Sequence, residues 1–329
     1  MSVATVSAVI NGSRPVSDEL RKRVQQAIAE LDYRPNLVAR ALYTRRTQSL
    51  GLLVPSITNP FFAAVVKAAE ETAHEKGYAV FVGNTDGDPD KSRAYADRML
   101  AMGVDGLLVV LSWDVVASGL IETFRSRGVP VVGVAGGRLV PDIDCFVSDD
   151  VGAGKQAANY LISLGHRNIA FIGAEQSKTT ELRYTGAMQA FAEAGIEADE
   201  RLLIRVTGYT SADAAAAVSQ LLARGVAFTG LLVFNDVMAV GALDALESQG
   251  LSVPEQVSIC GFDDTVSVYS RPRLTTVACP SEALGRSAVG RLLQRIGGDK
   301  APPEVHALPT KLIVRESTRA RLSTESVQT

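Results

Sequence analysis

The sequence predicts an α/β protein of parallel sheets covered by helices on both faces, preceded by a small all-α segment. Three observations carry this reading. From residue 50 onward, short β-rich runs are apolar almost throughout, the pattern of strands covered on both faces. These runs recur every ~25–30 residues with an amphipathic stretch between them, the period of repeated βα units. Before residue 49 no such run occurs, and apolar residues keep helical spacing only.

Taken in order, the first 48 residues offer three helical patterns. Val6, Val9 and Ile10 give the first an apolar edge. Ser17 is placed as N-cap of the second, with Asp18 and Glu19 in its first turn, where the helix dipole favours acids. Leu20, Val24, Ala27, Ile28 and Leu31 are its expected buried stripe. A short third pattern, NLVARAL (36–42), follows Pro35. The expected strands then run LGLLVP (50–55), YAVFVG (78–83), GLLVVLS (106–112), VPVVGV (129–134), CFVS (145–148), NIAFIG (168–173), LLIRVT (202–207), GLLVFN (230–235) and VSICGF (257–262). Between them, helices are expected over 60–76, 90–103, 114–127, 151–165, 180–195, 212–224 and 236–249. Asn59-Pro60 supplies an N-cap and an N1 proline to the first of these, Gly77 follows its end, and Asp236 stands at the head of VMAVGALDAL. Such open sheets bind ligands beyond the carboxyl ends of their strands. The places to search are therefore 55–62, 84–88, 112–114, 135–138, 148–150, 174–183, 234–236 and 262–265.

Composition narrows the function. The 329 residues, 47 % hydrophobic and 21 % charged, describe an ordinary globular chain of two or three units. No apolar run approaches the ~18 residues that cross a bilayer, and MSVATVSAVINGSRP lacks the pattern of a secretory signal, so a cytoplasmic protein is expected. The net charge of −3 conceals an asymmetry: residues 1–48 hold eight basic and four acidic residues, and the remainder 25 basic and 32 acidic. A basic head of +4 on an acidic body of −7 fits a nucleic-acid-binding module joined to a sensor, and also a merely solvated helix. Cys145, Cys260 and Cys279 sit in apolar surroundings and read as reduced core thiols. His74, His166 and His306 are too far apart to suggest a metal pair, and His74 lies on a polar helix face. No metal or cofactor is expected.

The run SVATVSAVINGSRPVSDELRKRVQQAIAELDYRPNLVARAL closely resembles the DNA-binding headpiece of the lactose/galactose-repressor family, matching its second helix, third helix and hinge without a gap. The match combines T-V-S-x-V-I-N-G, L-x-Y-x-P-N and V-A-x-x-L in register. The resemblance implies a helix-turn-helix whose recognition helix starts at Ser2, with Val3, Ala4 and Ala8 facing bases. Ser2, Thr5, Ser7 and Asn11 then supply short polar groups for phosphates, with Tyr33 and Asn36 in the following turn. A helix as short as NLVARAL is unstable alone. By the same resemblance it folds in the minor groove beside its counterpart from a dimer, Leu42 wedging into the base step and Arg40 meeting the groove wall. A linker leucine packed on the body is the plainer alternative. The family headpiece also has a helix upstream, of about fourteen residues with its turn, that would precede Ser2. The expectation is thus of an incomplete headpiece, its start assigned at an internal methionine.

Residues 50–320 resemble the periplasmic-binding-protein-like domain of the same family, the marks being NPFF (59–62), GHRNIAFIG (165–173), FNDVMAVGAL (234–243), GFDDT (261–265) and LTTV (274–277). That implies two parallel-sheet lobes, three chain crossings near 148, 277 and 309, and a small effector held between the lobes. The expected organisation is a partial headpiece over 1–35, a hinge over 36–48, an effector-binding and dimerisation domain over 49–320 and a tail over 321–329. Lobe 1 takes about 49–148 and 278–308, lobe 2 about 149–277 and 309–320. Phe61 and Phe62 can stack on a sugar or base face, although Phe62 also fits the buried helix face. Arg183 resembles the family's clamping arginine and offers a planar fork to hydroxyls or a carboxylate. Asn235, Asp236 and Asp263 stand at strand-to-helix corners, Asp236 equally readable as a helix cap, and Trp113 lies at a strand end. Arg183→Ala is expected to abolish the effector response and leave the fold intact.

The function expected is a DNA-binding transcriptional repressor, not an enzyme, active as a homodimer on a near-palindromic duplex operator and controlled by a sugar, nucleoside or related metabolite. The tail RESTRARLSTESVQT lacks leucine heptads, against a coiled-coil tetramer. Two alternatives stand beside this reading. One is a sugar-binding protein without a DNA function. The other is a nucleotide enzyme, suggested by Gly152-Ala153-Gly154 with Ala157, which mimic a glycine fingerprint but lack a ribose-binding acid downstream.

Overall fold

The computed structural model describes residues 2, 5–6, 8–9, 14–32, 46–137 and 140–321. The chain divides into two units, Met1–Gln48 and Ser49–Thr329.

In the first unit, helix α1 spans Asp18–Glu30 with Asp18 and Glu19 in its first turn. The Ser17 carbonyl accepts the Arg21 amide at 2.9 Å, but its hydroxyl makes no capping bond. Val24 is buried while Leu20, Ala27 and Ile28 are half-buried. Leu31, expected in the same stripe, is exposed because it falls at the C-cap, one residue past the helix.

The second unit holds two six-stranded sheets. The first runs β11-β5-β4-β3-β1-β2 and the second β12-β10-β9-β8-β6-β7. Strands β1 (Ser49–Val54), β2 (Ala79–Asn84), β3 (Gly106–Val110), β4 (Val131–Val134), β5 (Asp144–Ser148) and β11 (Val305–Leu308) are all parallel. In the second sheet β6 (Ile169–Ala174), β7 (Leu203–Val206), β8 (Gly230–Val233), β9 (Ser258–Asp263) and β10 (Thr275–Ala278) are parallel, and β12 (Lys311–Ile313) alone is antiparallel. The chain therefore passes from the first sheet to the second after β5, returns after β10 and crosses again after β11. Continuous apolar strands follow from cover on both faces in the inner strands, but β2, at the edge of its sheet, leaves Phe81 and Val82 exposed, against the expectation for this run. In β3, Leu108 and Val110 join one core cluster while Leu107 and Val109 join another.

The helices are α2 (Pro60–Glu75), α3 (Pro89–Met102), α4 (Trp113–Ser118), α5 (Leu120–Ser126), α6 (Asp150–Ser163), α7 (Lys178–Glu193), α8 (Ser211–Ala223), α9 (Asp236–Ser248) and α10 (Ser281–Ile296). The single helix expected over 114–127 is two, broken at Gly119 with φ 69°. Helix α10 was not anticipated from the sequence, because Gly285 and Gly290 interrupt its pattern. Gly285 is there for contact: a Cβ on it would lie 2.5 Å from the Val65 carbonyl of α2. Strands β10, β11 and β12 also escape the pattern, β10 because two threonines break its apolar run and β11 and β12 because they are short and partly exposed.

The Gly152–Gly154 run serves packing rather than phosphate. Asp149 caps α6 and accepts the Gly152 amide at 2.8 Å, so a carboxylate already occupies the helix end where a phosphate would sit. At Gly154 a Cβ would meet the Arg183 carbonyl at 1.9 Å, and at Gly186 it would meet the Val151 carbonyl at 1.9 Å. Helices α6 and α7 thus touch backbone to backbone.

Candidate functional site

Both sheets share one order at their centre, the first strand lying between the second and third. This creates a topological switch point at β1/β3 and another at β6/β8. Beyond the second stands Arg183, on the second turn of α7. The start of that helix is pinned twice: Ser177 caps the Thr180 amide at 3.2 Å, and the Thr180 hydroxyl accepts the Ala174 amide at the end of β6 at 3.0 Å.

The Arg183 guanidinium is 4 % exposed, and its donors are occupied within the protein. Nε donates to Asp150 Oδ1 at 3.0 Å, Nη1 to the Phe234 carbonyl, and Nη2 to Asp263 Oδ1 and Cys279 Sγ, each at 3.4 Å. The Phe262 ring lies 4.5 Å from the guanidinium carbon. Burial opposes the charge, but Asp150, Cys279 and Asp263 outweigh it and hold the guanidinium pKa above its ordinary value. Burial likewise pushes Asp150 and Asp263 up from the usual carboxylate range, with Arg183 opposing it in both.

Asp236 completes a group of three buried carboxylates around one cation. It does not contact Arg183. Its Oδ2 accepts the Thr265 amide at 2.8 Å and its Oδ1 the Thr276 hydroxyl at 2.7 Å. Burial first, then Asp263, pushes its pKa to about 8. The folded state therefore holds a proton that the unfolded chain, with its carboxyl at the ordinary value of about 4, releases. The stability this contributes is complete below pH ~4 and is lost as pH rises through about 8. Asp236→Asn removes that titration. Its melting temperature is expected to gain on the wild type between pH 5 and pH 8, and a constant difference across that range would contradict the assignment.

The structure revises several expected contacts. Asp236 is not the cap of α9; Asn235 is, accepting the Met238 amide at 2.8 Å. Both side chains are buried and hydrogen-bonded within the protein. Phe61, not Phe62, is the core residue: it is 8 % exposed within the first lobe's core, while Phe62 is half-buried and meets it edge-on at 5.3 Å. The reason is the helix start. Asn59 accepts the Phe61 amide at 3.0 Å, which sets the helix phase so that Phe61 and Val65 share the inward face. Trp113 opens α4 at 43 % exposure. Asp263 lies against Arg183, a pairing the sequence did not suggest. The structure joins Arg183 to Asp263 directly, whereas Phe61, Phe62 and Trp113 stand on the first lobe.

Three participants were missed. Asp150 was inside a searched loop, but the adjacent Asp149 hid which acid caps and which pairs. Cys279 belongs to the first lobe's apolar cluster and also touches Arg183 of the second, so the thiol sits where the lobes meet. Burial pushes its pKa up, which makes it a poor nucleophile. Tyr209, after β7, packs on Phe234 at 5.5 Å, and its phenol pKa is raised by burial and by Asp114 of the first lobe. The lobes also meet where Gly137 passes Thr179, since a Cβ on that glycine would lie 2.8 Å from the Thr179 hydroxyl.

In the first unit, Ser2 opens a helical turn. Its carbonyl accepts the Thr5 and Val6 amides at 3.0 and 3.2 Å, and its hydroxyl accepts the Thr5 amide at 3.2 Å. Ala8 is 4 % exposed, which does not fit the base-facing place expected for it. Val3, Ala4, Ser7, Asn11, Tyr33, Asn36, Arg40 and Leu42 lie outside the described residues. Among those described, no group of acids, cysteines and histidines can hold a metal, and no helix is long and apolar enough to cross a membrane.

Two doubly wound lobes meeting over a buried arginine–carboxylate network, in a chain with a basic helical head, define a DNA-binding regulator governed by a small effector. Residues 1–36 match the bacterial regulatory proteins of the lacI family, and residues 158–318 match the periplasmic binding protein-like domain. The chain is 36 % identical over 323 residues to the HTH-type transcriptional regulator DegA of Bacillus subtilis (strain 168), covering 97 % of this chain and 95 % of DegA. It superposes on a lac repressor dimer bound to operator and the anti-inducer ONPF with a TM-score of 0.86 and 28 % identity, covering 97 % and 96 % of the two chains. The complex of the transcriptional regulator CelR with cellobiose gives 0.76 and 32 %, covering 96 % of each. The chain belongs to the LacI family of bacterial regulatory proteins.

Proposed function

We propose that this protein is a cytoplasmic transcriptional repressor, not an enzyme, which binds a near-palindromic operator as a homodimer and answers to a neutral hydroxyl-rich metabolite. The observation that carries the effector half is the Arg183 network at the junction of the lobes: its carboxylates accept hydroxyl donors, and its guanidinium fork can be shared with a ligand. Asp263 and Arg183 are the polar clamp, with Phe62 and Trp113 as the apolar face. Asp150 orients Arg183 from within, and Phe61, Asn235 and Asp236 support the walls. The cellobiose complex of CelR favours a sugar for this chain as well.

The DNA half rests on the basic head and its family match. Residues 1–35 are the headpiece, 36–48 the hinge and 49–320 the effector domain, with lobe 1 at about 49–148 and 278–308 and lobe 2 at about 149–277 and 309–320. Ser2, Thr5, Ser7 and Asn11 position the headpiece on phosphates, Val3 and Ala4 meet bases, Tyr33 and Asn36 hold the turn, and Arg40 and Leu42 enter the minor groove. An effector gripping both lobes favours one lobe arrangement, and through it one spacing of the paired hinges.

The test has two arms. Selection from random duplexes should enrich a near-palindrome whose affinity falls with salt by a slope of roughly −0.9 per phosphate contacted. A thermal-shift screen of sugars and nucleosides, read in parallel by the emission of the single tryptophan, Trp113, should find a ligand that shifts both signals. No enriched sequence would end the repressor reading; a stabilising ligand that leaves Trp113 emission unchanged would move the pocket elsewhere.

A further inference from the structure

Asp236 is the carboxylate of the cleft that touches no cation, and its partners explain why a buried acid is kept there. The Thr265 amide that it accepts belongs to the turn leaving β9, directly after Asp263 and Asp264. Those two residues have φ of 101° and 57°, consecutive non-glycine residues in the region that side chains disfavour. Its other oxygen bonds the Thr276 hydroxyl on β10, the neighbouring strand. The start of α9 is thereby tied both to the turn and to the strand next to it in the sheet. Gly261 makes the approach possible, because a Cβ there would fall 2.5 Å from Asp236 Oδ1. From the other side the turn is held through Asp264, which accepts from Arg315 and from the Ser267 hydroxyl, both at 2.7 Å. The residue presented by this clasped turn is Asp263, facing Arg183.

We infer that Asp236 is a positioning residue of the effector cleft: its carboxyl clasps Thr265 and Thr276 so that the strained turn keeps Asp263 aimed at Arg183. The inference rests on reading Arg183 and Asp263 as the effector clamp. The role requires an acceptor facing Thr265 and a polar atom facing Thr276; it does not require a negative charge. Asp263, Asp264 and Cys260 surround the group, and the neighbouring cations Arg183 and Arg315 pair with Asp263 and Asp264 rather than with it, so a further anion here is disfavoured. The pKa of about 8 agrees, since it leaves the acid protonated at neutral pH. A carboxamide meets both requirements, its oxygen accepting from Thr265 and its nitrogen donating to the Thr276 hydroxyl.

Hydrogen–deuterium exchange on the full chain without ligand tests this, comparing the wild type with Asp236→Ala, Asp236→Asn and Thr276→Val. In Asp236→Ala, amides 264–268 should exchange about tenfold faster or more, with the β4–β5 region of the other lobe unchanged, as expected for a local opening. Asp236→Asn should stay within about twofold of the wild type, and Thr276→Val should accelerate the same amides by an intermediate factor. Unchanged exchange in Asp236→Ala, or equal acceleration in Asp236→Asn and Asp236→Ala, overturns the inference. Should Asp236→Ala fail to fold, the Asn and Val variants decide alone: a protected turn in the first with an opened turn in the second is the expected pair, and any other combination refutes it. Since no effector enters the measurement, its failure leaves the Arg183 clamp standing. Unchanged effector affinity in a clamp variant would leave the exchange result standing.

Discussion

Arg183→Ala is expected to lose the effector response and also to destabilise the effector domain by about 3–5 kcal/mol, the cost of removing one partner from a buried ion pair. The sequence alone suggested an effector-clamping arginine of the cleft whose removal would leave the fold intact. The structure changes that expectation, because the guanidinium is 4 % exposed and bonds two buried carboxylates and the Phe234 carbonyl. Without it, Asp150 and Asp263 must take up protons or remain buried and unpaired. A domain of this size should lose about 10 °C in melting temperature at neutral pH, and less in acid, where both acids are protonated in either state. The triple variant Arg183→Leu with Asp150→Asn and Asp263→Asn separates the two losses: stability should return while effector binding does not. Full stability in Arg183→Ala would show that the network is not closed as described.

The second large effect is expected at Gly186, which lies one turn along α7 from Arg183. Gly186→Ala places a methyl 1.9 Å from the Val151 carbonyl and 2.8 Å from the Lys155 nitrogen, both backbone atoms that cannot swing aside. Overpacking of flexible side chains costs about 1–3 kcal/mol, so a clash with a helix backbone should reach or exceed the upper figure. Helix α7 would have to back away from α6, moving Arg183 relative to Asp150 and weakening effector binding as well. Gly290 is the internal control. It lies within α10 with open space at its Cβ position, so Gly290→Ala should stabilise by about 0.5–1 kcal/mol through helix propensity alone. Urea denaturation midpoints measure both, and a Gly186→Ala midpoint equal to that of the wild type would show that the helices do not touch as closely as described.

Much of this protein was legible along the chain. The inner strands could be read because two-sided burial writes itself as uninterrupted apolar residues, as in LGLLV and GLLVV, whereas β2 and β7, at the sheet edges, were legible from their β-rich runs although partly exposed. The start of α2 was legible because Asn59 and Pro60 act on the helix next to them. Arg183 and Asp263 were legible as a resemblance and as residues at strand ends. Helix α10 was not, since its two glycines look like breakers until the carbonyl of Val65 is seen against one of them. Nor was the choice between Phe61 and Phe62, adjacent aromatics whose burial depends on the phase that the Asn59 cap imposes.

What the sequence determined by itself was local and periodic: which segments are strands or helices, where they begin, and that a basic head precedes an acidic body. These follow from interactions within a few residues, and such interactions leave their mark in order. Only the tertiary structure decided what each polar group does. Asp149 caps a helix while Asp150 pairs with an arginine 33 positions away, and Asp236 clasps a turn 29 positions away. A carboxylate's role depends on how far it is desolvated and on what faces it, and both are set by elements that meet only when the sheets have formed.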